Sequence, residues 1–284
     1  MPITLKSNAK INIALRVLNR RNDGFHNIET IFTNVSLCDK IKMRTLSKGE
    51  IVIKCSDPSI PADSSNIAYK AAEMVKSKFG IKKGIEIIIE KKIPAGAGLA
   101  GGSSNGATVV RGCLKLWSIK ASPGSIYAIL KKLGSDVPYC YLGGTALGKG
   151  RGEILKKVPP FTGFHVLIVN PGIHVSTPVA YRLLKRELTP TEKKVNLSDR
   201  YRRYLKKSLL LCDLLENDFE DVVFKKYPLI QKIKRDILKL GADGALMSGS
   251  GSTVFGLFAG VAELRYADCF FSEKGYKVFK AKLC

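Results

Sequence analysis

The chain has 284 residues, 45% apolar and 25% charged, which is enough for a full hydrophobic core or two ordinary domains and excludes a disordered or fibrous protein. Its formal net charge of +23 points to an anionic partner: nucleic acid, an acidic membrane surface or a phosphorylated small molecule. No apolar leader and no run of about 18 apolar residues occurs, and the cysteines at 38, 55, 113, 140, 212, 269 and 284 form no C-x-x-C pair, so we expect a cytoplasmic protein with free thiols, no membrane partner and no zinc.

Residues 3–19 alternate as a strand, with Ile11, Ile13, Leu15 and Val17 on one face and Lys10, Asn12 and Ala14 on the other. A lysine in such a strand either extends to solvent or has a partner, and the pattern leaves both open. The polar turn NRRNDGFHN then delivers Phe25 and His26, which could stack on and hydrogen-bond a base or serve as a local staple and turn histidine. Strands are predicted over 28–37, 41–45, 50–55 and 84–93, with a loop at 57–65 and a helix over 66–79 whose inner side carries Ala68, Ala71, Ala72 and Val75.

The stretch PAGAGLAGGSSN, residues 94–105, lies between that last strand and an apolar-periodic segment with Ala107, Val110, Leu114 and Trp117. Glycines at 96, 98, 101 and 102 let the backbone turn its N–H groups toward a ligand. A helix starting near Ser103 adds unpaired N–H groups and a partial positive charge, so a phosphate is the expected guest. A Walker loop is excluded, because Ser103 and Ser104 stand where Lys and then Ser or Thr are required. The glycine spacing also matches G-x-G-x-x-G, but a dinucleotide site needs an acid about 20 residues on. None occurs between Lys91 and Ser135. An acid-free anion cradle suits a polyphosphate.

Ser122 and Pro123 start a further helix ending near Leu133, after which Gly134–Pro138 breaks the chain and 139–147 reads as strand-like. Asp136, the first acid after that gap, reads equally as a turn former. A strand over 164–170 follows, with the domain change near residue 159, then a helix start at Ser176 or Thr177 and helices over 199–211 and 219–240. The end reads as strand, glycine turn and strand from 241 to 258, a helix over 262–274 and a strand over 277–281; Gly249–Ser252 is a second, shorter anion nest. Residues 185–207 hold nine Lys or Arg against three acids. No nucleic-acid motif accompanies them, so a solvated face is expected there and an RNA-binding protein is the rival reading.

PAGAGLAGGSSNGA resembles the P-x-G-x-G-L-G/A-S-S loop of the GHMP kinases, and SNAKINIALRVLNRRNDGFHNIETIF, LGSDVPYCYLGGTALGKGRGE and LMSGSGSTVFGLF extend the resemblance collinearly over residues 7–258. It is strongest to members acting on a cytidine diphosphate conjugate. The resemblance implies an α+β, two-domain GHMP kinase fold, with a domain like domain 2 of ribosomal protein S5 over 1–158 and a ferredoxin-like domain over 159–284. It implies ATP as co-substrate and phosphorylation of a tertiary hydroxyl, with Lys10 and Asp136 as the catalytic pair. Asn66 and the loop residues Pro94, Ala95, Gly96, Ala97, Gly98, Leu99, Ala100, Gly101, Gly102, Ser103 and Ser104 would bind ATP. Asn12 would position the substrate, Phe25 and Tyr181 would sandwich its cytosine, and His26 would read the base edge.

Ala97 and Ala100 replace glycines of many relatives, which is tolerable where φ stays negative. No acidic magnesium ligand stands in the helix after the loop, so Mg2+ would be held by ATP oxygens and water with Ser103 or Ser104 helping, and no residue is assigned as a metal ligand. The expected partners are small molecules only, with the protein a monomer or weak homodimer. Kinases of homoserine or mevalonate are the nearest alternatives, and they give no reason for the D-G-F-H turn and Tyr181.

Overall fold

The computed structural model describes residues 1–184 and 196–284. Packing divides them into two compact units, the first made of Met1–Ala9, Cys38–Ala95 and Ala100–Gly143, the second of Lys10–Leu37, Gly96–Leu99 and Gly144–Cys284. The two long strands β1 (Ile3–Arg20) and β2 (His26–Leu46) each contribute to both units.

In the first unit, β3 (Ile51–Cys55) pairs in parallel with β4 (Gly84–Glu90), and β4 pairs antiparallel with residues 40–46 of β2. Lys40, Lys42 and Arg44 face solvent while Ile41 and Met43 are buried, the period-two pattern of a sheet with one covered face. The cover is helical: α1 (Ile67–Phe79), α2 (Gly101–Leu116), α3 (Pro123–Leu133) and α4 (Val137–Leu142). Ala68, Ala71, Ala72 and Val75 of α1 and Ala107, Val110 and Cys113 of α2 pack on Ile85, Ile87 and Ile89 of β4. Each isoleucine so buried contributes roughly 1.5–3 kcal/mol relative to exposure.

Two expectations are corrected here. The strands expected over 28–37 and 41–45 are one, and Asp39 between them is buried with its carboxylate paired. Its Oδ1 accepts the N–H groups of Lys92 and Ile93 at 2.7 and 2.8 Å, and its Oδ2 takes the Lys91 ammonium at 2.8 Å. The run 139–147, expected as strand, opens as α4 with Asp136 at its N-cap and Pro138 in its first turn, where a missing N–H costs nothing.

In the second unit, β8 (Glu216–Asn217) lies parallel to β1 at Ala14 and Leu15, and β5 (Ala146–Lys149) pairs with residues 30–32 of β2 and with β6 (Ile154–Lys157). A separate antiparallel sheet holds β7 (His165–Asn170), β9 (Gly244–Met247), β10 (Val254–Phe258) and β11 (Lys277–Lys282) in the order β11-β7-β10-β9. The long helix α9 (Pro228–Lys239) precedes β9 and α10 (Val261–Glu273) precedes β11, the β-α-β-β-α-β succession expected of a ferredoxin-like domain. Ile230, Ile233 and Ile237 of α9 and Leu264, Ala267 and Phe271 of α10 share one core with Leu167, Val169 and Val254.

The shorter helices are α5 (Thr177–Leu183), α6 (Leu197–Leu205), α7 (Leu211–Leu214) and α8 (Glu220–Lys226). The helix expected over 199–211 is α6 and α7, with Lys207 at φ 57° between them. The one expected over 219–240 is α8 and α9, parted at Tyr227 because the residue before Pro228 is driven out of helical geometry. Of the basic stretch 185–207, residues 185–195 lie outside the described residues. Among the described residues no helix is long and apolar enough to cross a membrane.

Candidate active site

Lys10 and Asn12 are 4% and 2% exposed, since β1 is covered on both faces where they stand. The lysine therefore stays inside with a partner. Its ammonium donates to Asn12 Oδ1 at 2.7 Å and lies 5.6 Å from the centroid of the Phe32 ring, and its backbone N–H donates to the Leu99 carbonyl at 3.1 Å. Asn12 Nδ2 in turn donates to Thr30 Oγ1 at 2.8 Å.

The glycine loop has left-handed backbone at Gly96 (φ 61°), Gly98 (φ 77°) and Ala100 (φ 54°). Ala100 thus lacks the negative φ under which an alanine there is tolerated most easily; it is the residue preceding α2, which starts at Gly101 rather than near Ser103. Among the described residues, the N–H groups of 96–103 donate to no protein acceptor. The loop's carbonyls are the paired side: that of Gly98 accepts the Ser248 hydroxyl at 2.9 Å, and that of Leu99 accepts from Lys10. Ser103 is partly exposed, whereas Ser104 is buried, accepting from the Ser7 hydroxyl and donating to the Asn8 carbonyl at 2.7 Å. At the loop's entry the Lys91 ammonium, paired with Asp39, lies 3.0 Å from where a side chain on Gly101 would begin.

The Gly249–Ser252 turn packs on the middle of that loop. A Cβ on Gly98 would fall 2.1 Å from the Ser248 carbonyl oxygen, and one on Gly249 would fall 3.5 Å from Lys10 Nζ, so three backbone segments converge on the ammonium. Asn217 clamps the turn, its amide donating to the carbonyls of Met247 at 2.6 Å and Gly249 at 2.9 Å while its oxygen accepts the Phe219 N–H. Asn217, Ser248 and Thr30 were not singled out by sequence reading, and neither was His174, whose imidazole lies directly against Gly96.

The Tyr181 ring stacks on His26, with centroids 5.0 Å apart and planes at 14°, and meets Phe219 edge-on. Phe25 is 52% exposed, with the Arg151 guanidinium 4.4 Å from its ring centroid. Burial, aided by the charge of Arg20, lowers the His26 pKa, so its ring is held neutral. In the first unit, Asn66 caps α1, accepting from the Ala68 N–H at 2.8 Å and donating to the Pro61 carbonyl at 2.6 Å, and Asp136 sits at the N-cap of α4.

The donor set bears on a metal. No group of three or more His, Cys, Asp or Glu able to hold an ion occurs among the described residues, and at the loop Ser103 is the hydroxyl left partly exposed. Such a set fits magnesium carried in on a nucleotide's own phosphates, not an ion caged by protein.

Comparison with known proteins places this geometry. The GHMP kinases N terminal domain matches residues 66–144 and the GHMP kinases C terminal domain matches 203–268. The chain is 40% identical over 257 residues to a 4-diphosphocytidyl-2-C-methyl-D-erythritol kinase of Alkaliphilus metalliredigens, covering 90% of this chain and 88% of the relative, and 40% identical over 256 residues to one of Acetivibrio thermocellus, covering 90% of each. A crystal structure of 4-(cytidine 5'-diphospho)-2C-methyl-D-erythritol kinase superposes with a TM-score of 0.82 at 31% identity over 99% of both chains. Homoserine kinase from Cytophaga hutchinsonii, at 20% identity, TM-score 0.71 and coverage of 100% of this chain and 97% of that one, shares the fold alone.

Proposed function

Since this chain belongs to the GHMP kinases, we propose that it transfers the terminal phosphoryl group of ATP to the 2-hydroxyl of 4-diphosphocytidyl-2-C-methyl-D-erythritol, a step of non-mevalonate isoprenoid biosynthesis. The observation that carries the reading is the run of N–H groups over 96–99 that, among the described residues, donate to no protein acceptor, in the same unit as the buried ammonium of Lys10. Phosphoryl transfer demands little covalent chemistry of a protein beyond positioning and charge, and these are what the loop and the lysine supply.

In this reading Asp136 accepts the proton of the tertiary hydroxyl as it attacks, and Lys10 steadies the charge on the attacking and transferred oxygens. Asn12, held against Lys10, orients the alcohol. Residues 94–103 cradle the ATP phosphates, with backbone N–H groups offered from Gly96 onward; magnesium arriving with ATP would be held with the help of the Ser103 hydroxyl and would supply charge neutralisation on the phosphates. The Ser104 hydroxyl and the Asn66 amide are committed to protein groups, so they support ATP by shaping the loop and the start of α1. Phe25 offers an exposed face for cytosine, neutral His26 hydrogen-bonds its edge, and Tyr181 closes the far side after leaving the stack it makes with His26. We take 1–158 and 159–284 as the inherited domains, and the protein as a cytoplasmic monomer or weak homodimer acting on small molecules alone.

The test is an assay coupling ADP release to the cytidylylated methylerythritol, with homoserine and mevalonate as rival acceptors. Turnover is expected with the first and not with the others, and cytidine nucleotides should compete. Asp136→Asn should lose about 10²–10⁴-fold in kcat with substrate binding retained. A near-parental rate would remove Asp136 from the role of base.

A further inference from the structure

The Lys10–Asn12 contact depends on which way the Asn12 amide points, and one buried hydroxyl decides it. Thr30 is fully buried on β2. Its hydroxyl has a single proton, and that proton goes to the Ala14 carbonyl at 2.7 Å. Toward Asn12, 2.8 Å away, Thr30 then has only lone pairs to offer, so the amide edge it meets must be the NH2. The carbonyl edge is thereby turned to the Lys10 ammonium at 2.7 Å. The flipped amide would set its NH2 against an ammonium and its oxygen against a hydroxyl whose proton is already used, leaving buried groups mismatched at both ends.

We infer that Thr30 is a positioning residue for phosphoryl transfer: through the chain Ala14 carbonyl, Thr30 hydroxyl, Asn12 amide it fixes the acceptor that holds the Lys10 ammonium in place. The inference rests on the proposed role of Lys10. It predicts that the hydroxyl matters for chemistry although it touches neither ATP nor acceptor. Thr30→Val keeps the shape and removes the hydroxyl, so the Asn12 NH2 loses its acceptor and the amide loses the constraint on its orientation. Thr30→Ser restores the hydroxyl without the methyl.

The experiment measures kcat and KM for ATP in the coupled assay for the parent, Thr30→Val, Thr30→Ala, Thr30→Ser, Asn12→Ala, the Asn12→Ala/Thr30→Val double variant and Lys10→Met, each normalised to the fraction of protein that binds ATP. For Thr30→Val and Thr30→Ala we expect kcat to fall about tenfold to hundredfold, as for a loss of alignment, with KM for ATP within about twofold of the parent. Thr30→Ser should recover to within about threefold, and Thr30→Val should add less than about twofold to the loss already caused by Asn12→Ala, because the two act along one path.

Undiminished kcat in Thr30→Val or Thr30→Ala would overturn the inference. So would a Thr30→Val loss that multiplies fully on Asn12→Ala, or a Thr30→Ser variant as impaired as Thr30→Val, since each means that the hydroxyl does not work through the amide. Lys10→Met separates this from the underlying reading. A parental rate in Lys10→Met sinks the catalytic lysine itself, whereas an inactive Lys10→Met beside a fully active Thr30→Val sinks only the role of Thr30.

Discussion

Within the second unit the surroundings of Lys10 and those of Phe25 are built on opposite plans. Lys10 and Asn12 are 4% and 2% exposed, and their polar atoms are held by side-chain and backbone bonds to Thr30, Leu99 and each other. Phe25 is 52% exposed, and the rings near it are stacked on protein: Arg151 lies over Phe25, and His26 and Tyr181 cover one another. A preorganised polar cluster has little reorganisation left to do when charge develops, so it acts on the rate of the chemical step. Ring faces occupied by neighbours must exchange one stack for another when a base arrives, so they act on how tightly substrate is held. Changes at the first place should therefore move kcat and changes at the second KM.

Lys10→Met gives the largest expected effect, a fall of about 10²–10³-fold in kcat with KM for the cytidine conjugate little changed, the size of losing one well-placed donor to developing charge. A KM effect without a kcat effect would break the contrast. Gly98→Ala follows. Gly98 has φ 77°, and a Cβ there would meet the Ser248 carbonyl at 2.1 Å, so the loop must leave its present path. We expect kcat/KM for ATP to fall about a hundredfold, measured by varying ATP at saturating acceptor.

The elements that were legible in the sequence are those whose burial follows a simple period. Residues 41–44 alternate buried and exposed, and Asn66, Ser122 and Ser176 stand at helix N-caps as their neighbours demanded. Two boundaries were missed: the strands expected over 28–37 and 41–45 run on as one through Asp39, a buried acceptor, and the run after Asp136, read as strand-like, opens as α4. The left-handed turns of the loop at Gly96 and Gly98 were legible from its glycines, but not the left-handed Ala100, since alanine gives no sign of that conformation.

Thr30 and Asn217 left no trace, because their roles arise from bonds to residues far off in sequence: Thr30 reads as one more β-branched strand residue, and Asn217 meets Gly249 only after β8 has docked on β1. The stack of Tyr181 on His26 was equally hidden, since both rings were assigned to a ligand and their affinity for each other was not weighed.

Tyr181→Ala should raise KM for the cytidine conjugate about tenfold at nearly constant kcat, the worth of one base–aromatic stack. A larger loss in kcat than in KM would mean that the aromatic end is as preorganised as the Lys10 end.

The smallest effect concerns His26. Burial and the charge of Arg20 both lower its pKa, so the neutral ring persists to a pH below its ordinary midpoint of 6.5. KM for the conjugate should then stay flat as pH falls through 6.5 and rise only below it. The sign for folding is the same. Because the folded value lies below the unfolded one, the stability that depends on a neutral His26 is complete above about 6.5 and is lost as pH falls toward the folded value. Arg20→Gln removes the smaller of the two causes, so the inflection in KM, followed alongside an NMR titration of the His26 ring, should move upward and stop short of 6.5, where burial alone still holds it. An inflection at 6.5 in both proteins would mean that the ring is solvated and that Tyr181 does not cover it, leaving the aromatic end without the stack on which the contrast with Lys10 depends.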